Sequence, residues 1–182
     1  MLELSLHVLD IAENSTRAEA KHILIAVRED SEQDRLTLEI RDDGAGMTEE
    51  ALAKALDPFY TTKKVRRVGL GLPMLAEAAG KSGGELTLES RPGEGTRVRV
   101  TFGLTHIDRQ PLGDIAGTLV TLLTGHPQTE LVYRHERDGR HFVLDTREIR
   151  EEIGDIPLNH PEILSWVRLQ VEEGLTEIEA GA

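Results

Sequence analysis

No cysteine occurs in the 182 residues, which excludes disulfides, thiolate metal sites and iron–sulfur clusters within this chain. Any redox role would belong to a partner. No stretch approaches the roughly 18–20 uninterrupted apolar residues of a membrane span, and the N-terminus lacks a basic region followed by an apolar stretch. The expectation is a soluble, cytoplasmic protein that makes no use of a membrane. Positive charge is also scarce: the formal net charge is −12, and a polyanion would be repelled by the summed field, which argues against nucleic acid as a partner. A smaller anion would need local compensation, and the basic segment Lys63 to Arg67 (KKVRR) can supply it. Internal repeats and low-complexity runs are absent.

What remains is enough for a core. Hydrophobic residues make up 38% of the chain, so one domain plus a small addition is affordable at this length. Residues 2–15 carry Leu2, Leu6, Leu9 and Ala12 at helical spacing, widened by Leu4 and Ile11, and predict a helix. Ile23, Ile25 and Val27 alternate, as do Leu36, Leu38 and Ile40; the polar run between them suits a hairpin. Thr48 followed by Glu49 and Glu50 marks a short helix, because a hydroxyl cap and acidic first-turn residues complement free N–H groups. Residues 57–69 show no period and read as loop. A second strong helix begins with LGLPMLAEAAG, where Pro73 is tolerated in the first turn and Leu72, Leu75, Ala76 and Ala79 share a face. Gly83 and Gly84 end it. Two strands then flank RPGEG, with Leu86, Leu88, Val98, Val100 and Phe102 facing inward. One mixed sheet with its helices gathered on one face buries these apolar sides in two layers, an α+β sandwich.

From Thr105 the character changes, and most of the acidic excess lies beyond that point. The sequence therefore divides into residues 1–104 and a small α+β appendage, 105–182. In the appendage DIAGTLVTLLTG is a helix candidate, two short strands flank Asp138-Gly139 as a hairpin, and a final amphipathic helix opens at Pro161. Its apolar stripe of Ile163, Trp166, Val167 and Leu169 either packs on the first unit or docks a partner.

Three short segments carry chemistry. Asp42 stands where the second strand ends; an ionised carboxylate only accepts hydrogen bonds, and adenine's exocyclic amine is a donor that guanine lacks at that position. Gly44 and Gly46 let the backbone turn beside it and leave room for a flat ring. Asn14, late on the first helix, offers a neutral oxygen suited to a Mg²⁺ already bearing phosphate and water. Asp10 lies one turn earlier on the same face, placed to act as a general base toward metal-bound water. Gly69 and Gly71 precede a helix, where unpaired N–H groups favour anions. Between these segments Phe59 and Tyr60 can pack over a nucleotide, while Thr61, Thr62, Lys63 and Lys64 can meet phosphate. Each segment taken alone also reads as a plain turn, cap or helix entry; their order along the chain is what describes a Mg-ATP pocket.

That order resembles the gyrase, Hsp90, histidine-kinase and MutL superfamily, and over residues 1–104 it is most similar to the ATP-binding domain of histidine kinases. DIAENSTRA, IRDDGAGM, DPFYTTK and GLGL carry the resemblance. It implies the Bergerat fold, ATP and Mg²⁺ as ligands, Asn14 as the metal ligand, and Asp42 as the base-reading carboxylate with Gly44, Gly46 and Met47 beside it. It further implies nucleotide contacts from Phe59, Thr61, Thr62, Lys63, Arg67, Gly69, Leu70, Gly71, Leu72 and Thr96. Two features depart from the pattern: Asp10 stands where the gyrase and MutL branches carry a longer glutamate, and Arg67 stands where histidine kinases usually have a further glycine. No helix pair bearing a phosphoacceptor histidine precedes the first motif, so the resemblance implies a stand-alone protein that transfers phosphate to, or hydrolyses ATP for, a protein partner in trans. His7 reads as a packed or surface residue. The competing readings are an interaction module whose affinity for a partner changes with ATP, and an anti-sigma-like serine kinase.

Overall fold

The computed structural model describes residues 2–57 and 71–181. Helix α1 (Leu4–Arg17) buries Leu4, Val8, Ile11 and Ala12. Of the expected stripe only Ala12 is buried, with the flanking Leu4 and Ile11, whereas Leu2 and Leu6 are 84% and 42% exposed and Leu9 is half-buried, because the face turned to the sheet is centred on Leu4 and Val8. The helix begins at Leu4 rather than Leu2 because its first N–H groups find acceptors outside the helix: the amides of Leu4 and Ser5 donate to the carbonyls of Pro111 and Leu112 at 2.9 and 2.8 Å. Strands β1 (His22–Asp30) and β2 (Arg35–Asp42) form the expected antiparallel hairpin, and both alternate buried with outward-facing residues. Helix α2 (Glu49–Lys54) is capped by Thr48, whose side chain accepts from the Ala51 amide. Helix α3 (Gly71–Lys81) buries Leu75, Ala78 and Ala79. Strands β3 (Leu86–Arg91) and β4 (Gly95–Gly103) pair antiparallel; Val98, Val100 and Phe102 are buried as expected, whereas Leu86 and Leu88 on the outermost strand are half-buried.

Beyond Thr105 the chain forms α4 (Ile115–Gly125), β5 (Glu130–Arg137), β6 (Arg140–Asp145), α5 (Thr146–Ile153) and α6 (Pro161–Glu177). The hairpin at Asp138-Gly139 is present, both residues having positive φ, 47° and 85°. Helix α5 escapes the sequence reading because Asp145 both ends β6 and caps the new helix, accepting from the Arg147 amide at 2.9 Å. The hairpin does not stand apart from the first unit. Strand β5 pairs in parallel with β1, from His22 opposite Glu130 to Glu29 opposite Arg137. A single mixed sheet of order β3-β4-β2-β1-β5-β6 results.

One face of that sheet, with Ile25, Leu36, Leu38, Ile40, Val100 and Tyr133 almost fully buried, is covered by a helical layer in which α1 packs against α3 and α4, and α4 against α6. Each such side chain contributes about 1.5–3 kcal/mol. The other face is polar on β2, β3 and β4 and carries Leu24, Ala26, Val132 and Val143 on β1, β5 and β6. The buried parity also holds Glu29 and His135, 1% and 0% exposed: His135 Nε2 lies 2.7 Å from Glu29 Oε1, and its Nδ1 lies 2.8 Å from the Tyr133 hydroxyl. Arg137 and the Gly181 amide complete the carboxylate's surroundings. No helix among the described residues is long and apolar enough to cross a membrane.

Candidate functional site

Asp42 is the last residue of β2 and is 8% exposed. Three protein donors hold its carboxylate. The Ser15 hydroxyl donates to Oδ2 at 2.6 Å; the amides of Gly44 and Thr96 donate to Oδ1 at 2.9 and 3.2 Å. A carboxylate offers about four acceptor positions, so this one is fixed in orientation and retains capacity for one further donor. Ser15 was not singled out in the sequence. Its signal was a hydroxyl one turn after Ile11 on the apolar face of α1, where it also lies 3.2 Å from the Ile11 carbonyl, an alternative acceptor for its one proton. Because Ser15 follows Asn14, the same bond brings α1's candidate metal ligand and the end of β2 to one corner of the fold.

The backbone around Asp42 requires its glycines. Gly46 has φ +68°, and a Cβ there would overlap the carbonyl of Arg91; Gly44 lies so close to Ala18 that a Cβ would meet its carbonyl oxygen at 2.8 Å. The Ala45 amide donates to the Ala18 carbonyl and the Gly93 amide to the Ala45 carbonyl, both at 2.8 Å. Met47 donates through its amide to Ser90 Oγ at 2.9 Å, and Ser90 Oγ lies 2.9 Å from Thr96 Oγ1. The 42–47 loop is thus fastened to α1 on one side and to the β3–β4 turn on the other.

Asn14 and Asp10 share a face of α1, both half-buried. Asn14 Oδ1 accepts from Arg17 Nη1 at 2.8 Å, and Arg17 is also 3.8 Å from Glu13. The Asp10 carboxylate lies against Gly71, the first residue of α3, where a Cβ would overlap Oδ2. A helix N-terminus is a favourable place for an anion. One turn before Asp10, His7 is 1% exposed, the packed one of the two readings the sequence left open. Its Nε2 lies 3.1 Å from Gln110 Oε1 while Nδ1 has no hydrogen-bond partner among the described residues; burial pushes its pKa down, although the Gln110 bond opposes this. Leu72 packs half-buried against the core. Phe59, Thr61, Thr62, Lys63, Arg67, Gly69 and Leu70 lie outside the described residues.

A further ionic cluster adjoins the site. Asp43 accepts from the backbone amides of Lys21 and His22 at 2.8 and 2.9 Å, and from the His22 ring at 2.6 Å. The other ring nitrogen is 2.8 Å from Glu130 on β5. The hydrogen bond to Asp43 raises the His22 pKa, partly offset by desolvation. For Asp43 desolvation acts upward, but the bonds from His22 and Lys21 outweigh it and the net shift is downward.

With this geometry in place, comparison with known proteins is decisive at the family level. The family model of histidine kinase-, DNA gyrase B-, and HSP90-like ATPases matches residues 2–106. This chain belongs to that ATPase family. Among curated Bacillus subtilis (strain 168) proteins, sporulation kinase E is 40% identical over 71 residues, covering 39% of this chain and 10% of that protein. Sensor histidine kinase YxdK is 36% identical over 75 residues, covering 39% of this chain and 23% of its own length. The ATPase-family chain therefore spans less than a quarter of either relative. The crystal structure of the N-terminal domain of a DNA repair protein aligns with TM-score 0.54 at 16% identity, covering 80% of this chain and 53% of that one; this likeness concerns the fold alone. The histidine-kinase-like ATP-binding domain inferred from the motifs is thereby established as the family, and the α+β fold with it.

Proposed function

We propose that this protein is a Mg-ATP-binding module of the histidine-kinase type that transfers phosphate to, or hydrolyses ATP for, a separate protein. The observation that carries the reading is the Asp42 carboxylate: buried, oriented by Ser15, Gly44 and Thr96, and left with capacity for one donor. In this reading that donor is the adenine amine, and the ring lies beside Gly44, Gly46 and Met47. Asn14 supplies a neutral oxygen to Mg²⁺ once Arg17, more than half exposed, releases it. The described residues contain no group of three or more His, Asp or Glu that could hold a metal ion, which suits a cation coordinated chiefly by phosphate and water with one protein ligand. Bound Mg²⁺ would supply charge neutralisation for the triphosphate; the basic segment 63–67 would add to it.

The test is Asp42→Asn, which places a donor before the adenine amine. Calorimetric titration with Mg-ATP should show at least a tenfold affinity loss, about 1.4 kcal/mol; unchanged affinity removes the assignment. A second reading is favoured by Asp10. It is shorter than the glutamate of the hydrolytic branches, and its carboxylate rests on the N-terminus of α3, a position that suits structural anchoring better than water activation. The module would then bind ATP without turning it over and change affinity for a partner. Radiolabelled ATP with candidate partners separates the two: labelled protein or released phosphate supports the first, and inertness with ATP-dependent partner affinity supports the second.

A further inference from the structure

The sheet face turned away from the helices carries a set of arginines that the nucleotide reading does not use. On β2 and β4 the outward parity consists of Arg35, Thr37, Glu39 and Arg41 facing Arg97, Arg99 and Thr101. Arg41 stands directly opposite Arg97 in the antiparallel register, and Arg99 is diagonal to Arg41. Like charges directly opposite on a sheet destabilise it. Glu39 is opposite Arg99, yet it gives both oxygens to Arg97 instead, at 3.0 and 2.9 Å; Glu89 on β3 adds a second contact to Arg97 at 3.5 Å. Glu39 and Glu89 are therefore both spent on one guanidinium, while Glu85 beside them makes no ion pair among the described residues. Arg35, Arg41 and Arg99 are exposed and make no ion pair or side-chain hydrogen bond among the described residues. They are concentrated on one face of a protein whose net charge is −12. A surface recess on the same face is lined by Arg35, Arg97 and Arg99, by Glu85 and Glu89, and by Thr87 and Thr101, so three of the cations and two carboxylates share a concavity with hydroxyl donors between them.

We propose that this face of β3-β4-β2 is a docking surface for an extended acidic segment of a partner protein. Arg35, Arg41 and Arg99, none of them in an ion pair among the described residues, outnumber the unpaired carboxylate Glu85 on this face and supply charge complementarity. Along β2 the distance from Arg35 to Arg41 is about 20 Å at strand rise, the reach of a short extended peptide. Guanidinium groups bind carboxylates in a bidentate manner that suits such a segment. Nucleic acid is disfavoured, because the face presents no aromatic side chain from β2, β3 or β4 on which a base could stack. The surface lies on the opposite side of the sheet from the parity that carries Asp42, so its occupancy and nucleotide binding are separable.

The experiment uses the full chain and two probes, a deca-glutamate peptide and an oligothymidylate of equal charge, titrated at low and at high salt with backbone amide shifts recorded. Saturable peptide binding that weakens with salt, with shifts confined to β2, β3 and β4, is expected. The double variant Arg41→Gln, Arg99→Gln should bind the peptide at least tenfold more weakly while keeping its thermal shift with Mg-ATP. It should also melt no lower than the parent, since the like-charge contact is relieved; this guards against loss of binding through misfolding. No saturable peptide binding at millimolar concentration, equal affinity in the double variant, shifts elsewhere, or tighter binding of the oligonucleotide would overturn the proposal.

Discussion

Ser15 on α1 donates a 2.6 Å hydrogen bond to Oδ2 of Asp42 at the end of β2. The bond is buried and charge-assisted, and such bonds contribute roughly 1.5–3 kcal/mol. Ser15→Ala should therefore lower stability in denaturant titration by about 1.5 kcal/mol. It should also weaken Mg-ATP binding several-fold, because the carboxylate loses one of three groups that orient it. Thr at this position should restore most of both.

The glycines of the β3–β4 turn separate two costs. Gly95 has φ +88°, and a Cβ on it would overlap the Asp42 carbonyl; Gly93 has φ +77° with nothing near. Gly93→Ala should cost only the left-handed strain, about 1 kcal/mol. Gly95→Ala adds backbone displacement beneath Asp42 and should cost about 3 kcal/mol or more. Chemical denaturation of both variants gives the comparison, and equal losses would contradict the close approach.

His22 sits between Asp43 and Glu130, and its pKa lies above the ordinary 6.5. The folded form thus binds the proton more tightly than the unfolded chain. Its stabilising contribution is fully present below the unfolded value and is lost as pH rises through the folded one. The melting difference between the parent and His22→Gln should be largest near about pH 6 and shrink by about pH 8. A difference that grows with pH would contradict the arrangement.

Glu29 titrates in the opposite sense. Burial alone would raise its pKa, but the bonds from His135 and the Gly181 amide, with the charges of His135 and Arg137, bring it below the ordinary 4.5. Stability from this carboxylate is present above the unfolded value and disappears as pH falls through the folded one. Tyr133, fully buried with its pKa pushed upward, keeps its proton, and its hydroxyl lies 2.8 Å from His135 Nδ1. Glu29→Ala leaves this network without its acceptor and should cost about 3 kcal/mol. The milder Glu29→Gln should flatten the acid limb of the stability curve.

Much of this was legible from local patterns. The alternation of Ile23, Ile25 and Val27 located β1, the Thr48 cap located α2, and Asp138-Gly139 located the second hairpin. Asp42 and Asn14 stood out because their residue types match a ligand's chemistry. Glu29 was not recognised as interior, although it continues the parity of Val27, because its partners His135 and Gly181 are more than a hundred residues away. Ser15 was overlooked for a related reason: its role depends on a strand that local sequence does not place beside it. The parallel register of β1 with β5 is set by packing between distant segments and has no local signature.

That register has a practical consequence. Cutting the chain after residue 104, where composition changes, would strip β5 from β1 and leave the β5-facing amides and carbonyls between His22 and Glu29 unpaired, along a strand bearing Ile23, Ile25 and Val27. A fragment of this kind has an open template for cross-chain pairing and is prone to aggregate, so the shorter piece that carries every motif is a poor choice for measuring what the motifs do.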